Sequence, residues 1–263
     1  MKSILLTFDL EEFDLPKEFN HSISEDKMYG ISEQGLNNLL QLLNKYNIRS
    51  TFFTTANFAN YYPEKIKDLS EKHEIASHGY SHSEPLTLEN IKKAKEEKEL
   101  IIEKPIRGFR APRWNLQNIN IVEKAGFNYD SSSHPIYLPG RYFNLNKNRK
   151  LHKINNILEI PASTLPPNFS IFWLAFKNLP LTYSKLFTRL NLINLDYTML
   201  VFHPWEFANL SKIKIPNYIK RKHSKELLKK LEKYILFCKE RKYKFQTIND
   251  FLEKINYGNI YKP

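Results

Sequence analysis

Two histidines four residues apart, in His78-Gly79-Tyr80-Ser81-His82, and three acids in Asp9-Leu10-Glu11-Glu12 have the make-up of a metal site. On one helical turn, side chains at i and i+4 share a face. His78 and His82 could then offer two neutral imidazoles to one divalent ion, at about 2.0–2.1 Å if it is zinc. One of the three acids could complete a two-histidine, one-carboxylate set with positions left open. A second acid could accept a proton from water whose pKa the ion brings toward about 7. Asp9 and Glu11 flank Leu10, so in an extended chain they point to the same side.

Three more polar residues follow apolar runs. His203 closes Leu200-Val201-Phe202-His203 and could protonate a leaving amine. Asp130, at a comparable place, could orient and charge-stabilise that histidine. Arg110, in Phe109-Arg110-Ala111-Pro112, could pair with Asp9 and hold it as a base. Each has a plainer account alone: a solvated acidic loop, a satisfied structural histidine, a rim salt bridge. Their shared position after strands sets them apart.

The elements that must carry these residues follow from patterning. Ser3–Phe8, Ser50–Thr55, Glu74–Ser77, Ile106–Arg110, Phe127–Ser131, Asn156–Pro161, Tyr197–His203 and Lys244–Gln246 are strand-like. Between them, Leu36, Leu39, Leu40, Leu43 and Tyr46 repeat at helical spacing, as do Leu227, Leu228, Leu231, Tyr234, Ile235 and Cys238. Thr87–Lys104 and Leu116–Ala125 read as helices, the second stopped by Gly126. Strands alternating with helices predict α/β architecture with a parallel sheet or barrel. Barrel active sites lie at the C-terminal ends of strands, where Asp9, His78, Arg110, Asp130 and His203 all fall.

With 263 residues and no convincing repeat or linker, one domain over 1–263 is the simplest organisation. No apolar run approaches the length of a membrane span, and Asp9 interrupts the first apolar run too early for a secretory signal. The single cysteine, Cys238, suits a reducing compartment, so a cytoplasmic location is expected. Net charge is +12. Without a basic run, zinc finger or phosphate loop, nucleic acid is not an expected partner.

Taken in order, Thr7-Phe8-Asp9, His78…His82, Phe109-Arg110-Ala111-Pro112, Tyr129-Asp130-Ser131-Ser132 and Leu200–His203 resemble the motifs of the polysaccharide deacetylases, carbohydrate esterase family four. The resemblance covers roughly residues 3–210. It implies a distorted barrel of about seven (β/α) units with parallel strands. It implies Asp9 as catalytic base, His78 and His82 as metal ligands, and Arg110 as the brace of the base. It implies His203 as general acid and Asp130 as the acid that tunes it. The commoner pattern has a second aspartate directly after the base. Here Leu10 stands there, and the Asp-x-Glu spacing resembles a subgroup that takes its ligand two residues on. Glu11 is therefore the implied ligand and Glu12 the second choice; His203-Pro204-Trp205-Glu206-Phe207 suggests the same subgroup.

The implied reaction removes an N-acetyl or other N-acyl group from an amino sugar of a polysaccharide or lipid-linked glycan. One divalent ion is implied, zinc first, with cobalt, nickel or iron as alternatives. Tyr80, Trp114 and Trp205 are candidate substrate contacts. Residues 165–192 are rich in apolar and aromatic groups with Lys177, Lys185 and Arg189 interleaved. That composition suits peripheral contact with the inner face of a membrane. Two rival functions are a metal-dependent amidase or deformylase on a non-polymeric substrate, and a carbohydrate-binding protein without catalysis.

Overall fold

The computed structural model describes residues 2–138 and 142–255. In chain order its strands are β1 (Ser3–Leu10), β2 (Thr51–Thr54), β3 (Glu74–Ser77), β4 (Gly108–Phe109) and β5 (Tyr129–Asp130). A small hairpin of β6 (Tyr137–Leu138) and β7 (Tyr142–Phe143) follows, then β8 (His152–Ile154) and β9 (Ile157–Glu159). A second small hairpin, β10 (Thr164–Leu165) with β11 (Phe169–Ser170), precedes β12 (Tyr197–Phe202) and β13 (Lys244–Phe245). The main sheet runs β12-β1-β2-β3-β4-β5-β9-β8, with β13 added beside β1. It is a curled, mostly parallel sheet with helices, a half-barrel.

β1 is an inner strand, paired in parallel with both β12 and β2. All eight of its residues are buried, as expected of a strand covered on both faces. Within the main sheet the expected parallel pairing holds from β12 to β9, and the β9–β8 step is antiparallel. β8 and β9 form a hairpin in which Ile154 faces Ile157, leaving Asn155-Asn156 as a two-residue turn. Asn155 takes φ +53 there, a conformation asparagine tolerates better than most residues.

The expected strands all form, several of them shorter than expected. The first helix is longer, Glu25–Lys45, and buries Ile31, Leu36, Leu39, Leu42 and Leu43 along one stripe. Its Gly35 lies against the chain just after β12: a Cβ built there would sit 1.9 Å from the Pro204 carbonyl oxygen. Glycine is needed because helix and loop touch backbone to backbone. Residues 165–192 contain two helices, Trp173–Asn178 and most of Leu181–Asn194.

Candidate active site and metal-binding cluster

Asp9, near the end of β1, is buried and accepts a 2.7 Å hydrogen bond from Arg110 Nη1. Arg110 follows β4 and is wholly buried. Its other donors reach Thr7 Oγ1, the Ser131 carbonyl and Ser131 Oγ, and its guanidinium lies 3.9 Å above the Phe53 ring. Such a fixed cation holds the Asp9 side chain in one orientation.

Glu11, His78 and His82 come together. Glu11 Oε2 is 2.6 Å from His82 Nε2 and 3.3 Å from His78 Nε2. One ligand atom from each residue lies within 4.8 Å of the others. Glu11 Oε2 and His82 Nε2 are buried and form no hydrogen bond. A carboxylate oxygen and two imidazole nitrogens converging without hydrogen-bond geometry fit a shared cation. The outer nitrogen of His78 is held as a ligand's usually is, its Nδ1 meeting the Arg110 carbonyl at 2.9 Å, whereas His82 Nδ1 lies 3.5 Å from Asp14 Oδ1 without a hydrogen bond.

Without an ion, the charges of the cluster pair with one another. Burial opposes ionisation of Glu11, but His82, His78 and His203 outweigh it and hold the carboxyl well below its usual range. Burial disfavours a charged His82, yet Glu11 and Asp14 raise its pKa well above normal. Glu12 goes elsewhere. Its Oε2 accepts from Thr55 Oγ1 at 2.9 Å, and burial raises its pKa. Thr55 also caps the helix Ala56–Tyr61. Of the two acids proposed as ligand, only Glu11 reaches the histidines.

The two histidines are not on a helical turn, contrary to the expectation. They lie in the loop after β3, where Gly79 at φ +72 turns the chain. Buried Lys98 pins that turn by donating to Ser77 Oγ and the Gly79 carbonyl, and burial pushes its pKa down to about 7.

His203 stands across the cavity, its Nε2 3.9 Å from Glu11 Oε1. Asp130 does not touch it. β5 and β9 pair with Asp130 opposite Glu159, which brings two buried carboxyls side by side. Burial and then Asp130 push Glu159 well above the carboxylate range. Asp130 also takes the hydroxyl of Ser132 at 2.7 Å. The carboxylate at His203 is instead Glu206, 3.3 Å from Nδ1. The i, i+3 spacing in His203-Pro204-Trp205-Glu206 was the available signal.

Trp114 and Trp205 both line the cavity of about 80 Å³ over the cluster, as does Trp173, from the 165–192 segment expected to meet a membrane. Trp205 is buried, stacks on His203 and points its indole N–H at Glu11 Oε1, 3.4 Å away. It braces the site more than it faces solvent. Tyr80 is turned away: its hydroxyl donates to Glu97 at 3.4 Å and Lys93 lies over its ring.

An α/β half-barrel with an acid–histidine cluster at the C-terminal ends of its strands is the class that fold and site define. Residues 1–129 match the family model described as polysaccharide deacetylase. A peptidoglycan deacetylase of Helicobacter pylori (strain ATCC 700392 / 26695) is 31% identical over 113 residues, 38% of this chain and 37% of that protein. The chain thus spans little more than a third of that relative's length. Two crystal structures share the fold at 16% identity, each covering 99% of this chain and 92% of the other. One is a PuuE allantoinase, TM-score 0.71, and the other a probable polysaccharide deacetylase from Pseudomonas aeruginosa PAO1, TM-score 0.72. Together the matches show that the N-terminal part of the chain, residues 1–129, is similar to polysaccharide deacetylases, and that the whole chain shares their fold.

Proposed function

We propose that residues 1–263 form one catalytic domain that hydrolyses the N-acetyl or another N-acyl group of an amino sugar, in a polysaccharide or lipid-linked glycan. One observation carries the reading: the Glu11–His78–His82 cluster shares a single cavity with Arg110-braced Asp9 and with His203. A divalent ion held by Glu11, His78 and His82, zinc first by its donor set, would polarise the acyl carbonyl and acidify water.

The protein's own groups supply the proton traffic. Asp9, held in place by Arg110, takes the proton from the attacking water as the water's oxygen bonds to the acyl carbon. His203 gives a proton to the nitrogen as the C–N bond breaks. The products are a carboxylic acid and a free amine. Trp114, Trp173 and Trp205 offer apolar walls for a sugar ring.

Acetate release from N-acetylated sugars, free and lipid-linked, by metal-loaded protein tests this. Release is expected with at least one of them. Its absence from all, with metal bound, would overturn the sugar assignment. A non-polymeric amide substrate is the second reading, favoured by the fold shared with an allantoinase structure.

Membrane contact is supported by charge and shape. Between 160 and 245 the chain has sixteen Lys and Arg against five Asp and Glu, whereas 1–159 has twenty-two against twenty-one. Nearly all the net charge therefore lies in the C-terminal half. On the helix Leu181–Asn194, Leu186, Leu190 and Ile193 are exposed at helical spacing, Ile193 at 72%. Arg189 lies among them, and no acid occurs from 160 to 195. Such a face suits an anionic bilayer, which with one buried cysteine fits a cytoplasmic protein at the inner face. Lys177, first grouped with these cations, is buried and takes no part. No described helix is long and apolar enough to cross a membrane. Sedimentation with anionic vesicles should fall in Leu186→Ser/Ile193→Ser; equal sedimentation would remove this contact.

A further inference from the structure

The expected general acid takes its support from a buried cation in a distant helix. Glu206 Oε1 lies 3.3 Å from His203 Nδ1 and also accepts the His203 backbone N–H at 2.9 Å. The other carboxylate oxygen, Oε2, is 3.0 Å from Lys177 Nζ. Lys177 and Glu206 are both completely buried. Lys177 extends from the helix Trp173–Asn178, donates to the Ile219 carbonyl at 2.9 Å, and has its Nζ over Trp173 and Trp205 at 5.4 and 5.7 Å. Those same indoles enclose the imidazole. Trp205 stacks on it at 4.9 Å and 23°, and Trp173 meets it edge-on at 5.3 Å and 90°.

A buried ion pair is weak evidence of stability, because desolvation offsets the attraction and an apolar pair packs as well. A bridging carboxylate does something an apolar pair cannot. It accepts the Nδ1–H and leaves Nε2 on the side of Glu11 and the cavity. Lys177 in turn faces the second carboxylate oxygen as an ion pair, without a hydrogen bond to it.

We propose that Glu206 and Lys177 are positioning residues: Lys177 fixes Glu206, and Glu206 fixes the tautomer and orientation of His203 in place of Asp130. The effect on turnover rests on the proposed role of His203 as proton donor; the ring geometry does not.

The test is ¹⁵N spectroscopy of the histidines in metal-loaded protein, at a pH where the His203 ring is neutral, together with kinetics. Wild type should show the Nδ1–H tautomer at His203. Glu206→Gln alone would strand a buried lysine, so the informative variant is Lys177→Met/Glu206→Leu, which removes both charges. It should lose roughly 10- to 100-fold in kcat with little change in KM, and its His203 should become a mixture of tautomers. Lys177→Arg should keep most of the activity. A folded double variant with wild-type kcat and tautomer would overturn the proposal. So would an Nε2–H tautomer in wild type, a result that needs no variant to fold. If wild type hydrolyses no substrate, the functional reading fails, while the spectrum still decides the ring.

Discussion

The two halves of the chain build one cavity by different means. From the first half, Asp9, Glu11, His78, His82 and Arg110 each sit at or just past a parallel strand, and their ion pairs with one another tie them together. From the second half, His203 also follows a strand, but its supports come from its own turn and from a helix some thirty residues earlier. The family match ends at residue 129, within the first half. Strand ends place residues reproducibly because the ladder fixes them. Support delivered by a helix depends on packing that no short motif records.

The largest expected loss tests the first half. Asp9→Asn should lower turnover about 10³- to 10⁴-fold while metal content stays at the wild-type level; metal loss alongside would make Asp9 a ligand and merge the two roles. Next, Arg110→Met leaves Asp9 buried without its cation and should cost about 3–5 kcal/mol in a urea unfolding titration. A loss below 1 kcal/mol would make the pair dispensable to the fold.

His73 gives a pH signature confined to the first half. Burial, then Lys72 and Arg49, pushes its pKa down to about 4, and its Nδ1 accepts the Ser50 N–H. The unfolded ring titrates near 6.5 and the folded ring near 4, so between them the unfolded state binds more protons. Stability should therefore fall as pH drops through that window, by up to about 3 kcal/mol. Unfolding midpoints against pH for wild type and His73→Gln should differ in slope there.

Gly35→Ala joins the halves. A methyl group cannot occupy the contact with the Pro204 carbonyl, so the helix or the His203 loop must shift. A stability loss of about 1–3 kcal/mol with lower kcat is expected, against stability loss alone if the loop holds. The smallest effect belongs to Asp130→Asn, below about tenfold in kcat and less than that of Lys177→Met/Glu206→Leu. The reverse order would return His203 to Asp130.

Much of this was legible in the sequence. Apolar runs ending in Asp9, Arg110 and His203 located the strands and the rim they share. The Asp-x-Glu spacing ranks Glu11 before Glu12, but where Glu12 goes instead is not legible, because Thr55, on another strand's end, draws it away. The histidine pair was found through a helical spacing that the structure replaces with a glycine turn. Asp130 was placed correctly at its strand end, yet its partner depends on β5 pairing with β9, an order that patterning does not reveal. Lys177 read as a surface cation because it sits in an apolar stretch among other basic residues, and a buried lysine has no mark of its own in sequence.

Metal content of the purified protein, measured by plasma mass spectrometry after incubation with zinc and removal of the excess, tests the shared cation directly. Wild type should retain one ion per chain, and Glu11→Ala, His78→Ala and His82→Ala should each lose most of it while remaining folded. A folded wild type that retains no zinc, cobalt, nickel or iron, or single variants that all keep the ion, would contradict the account.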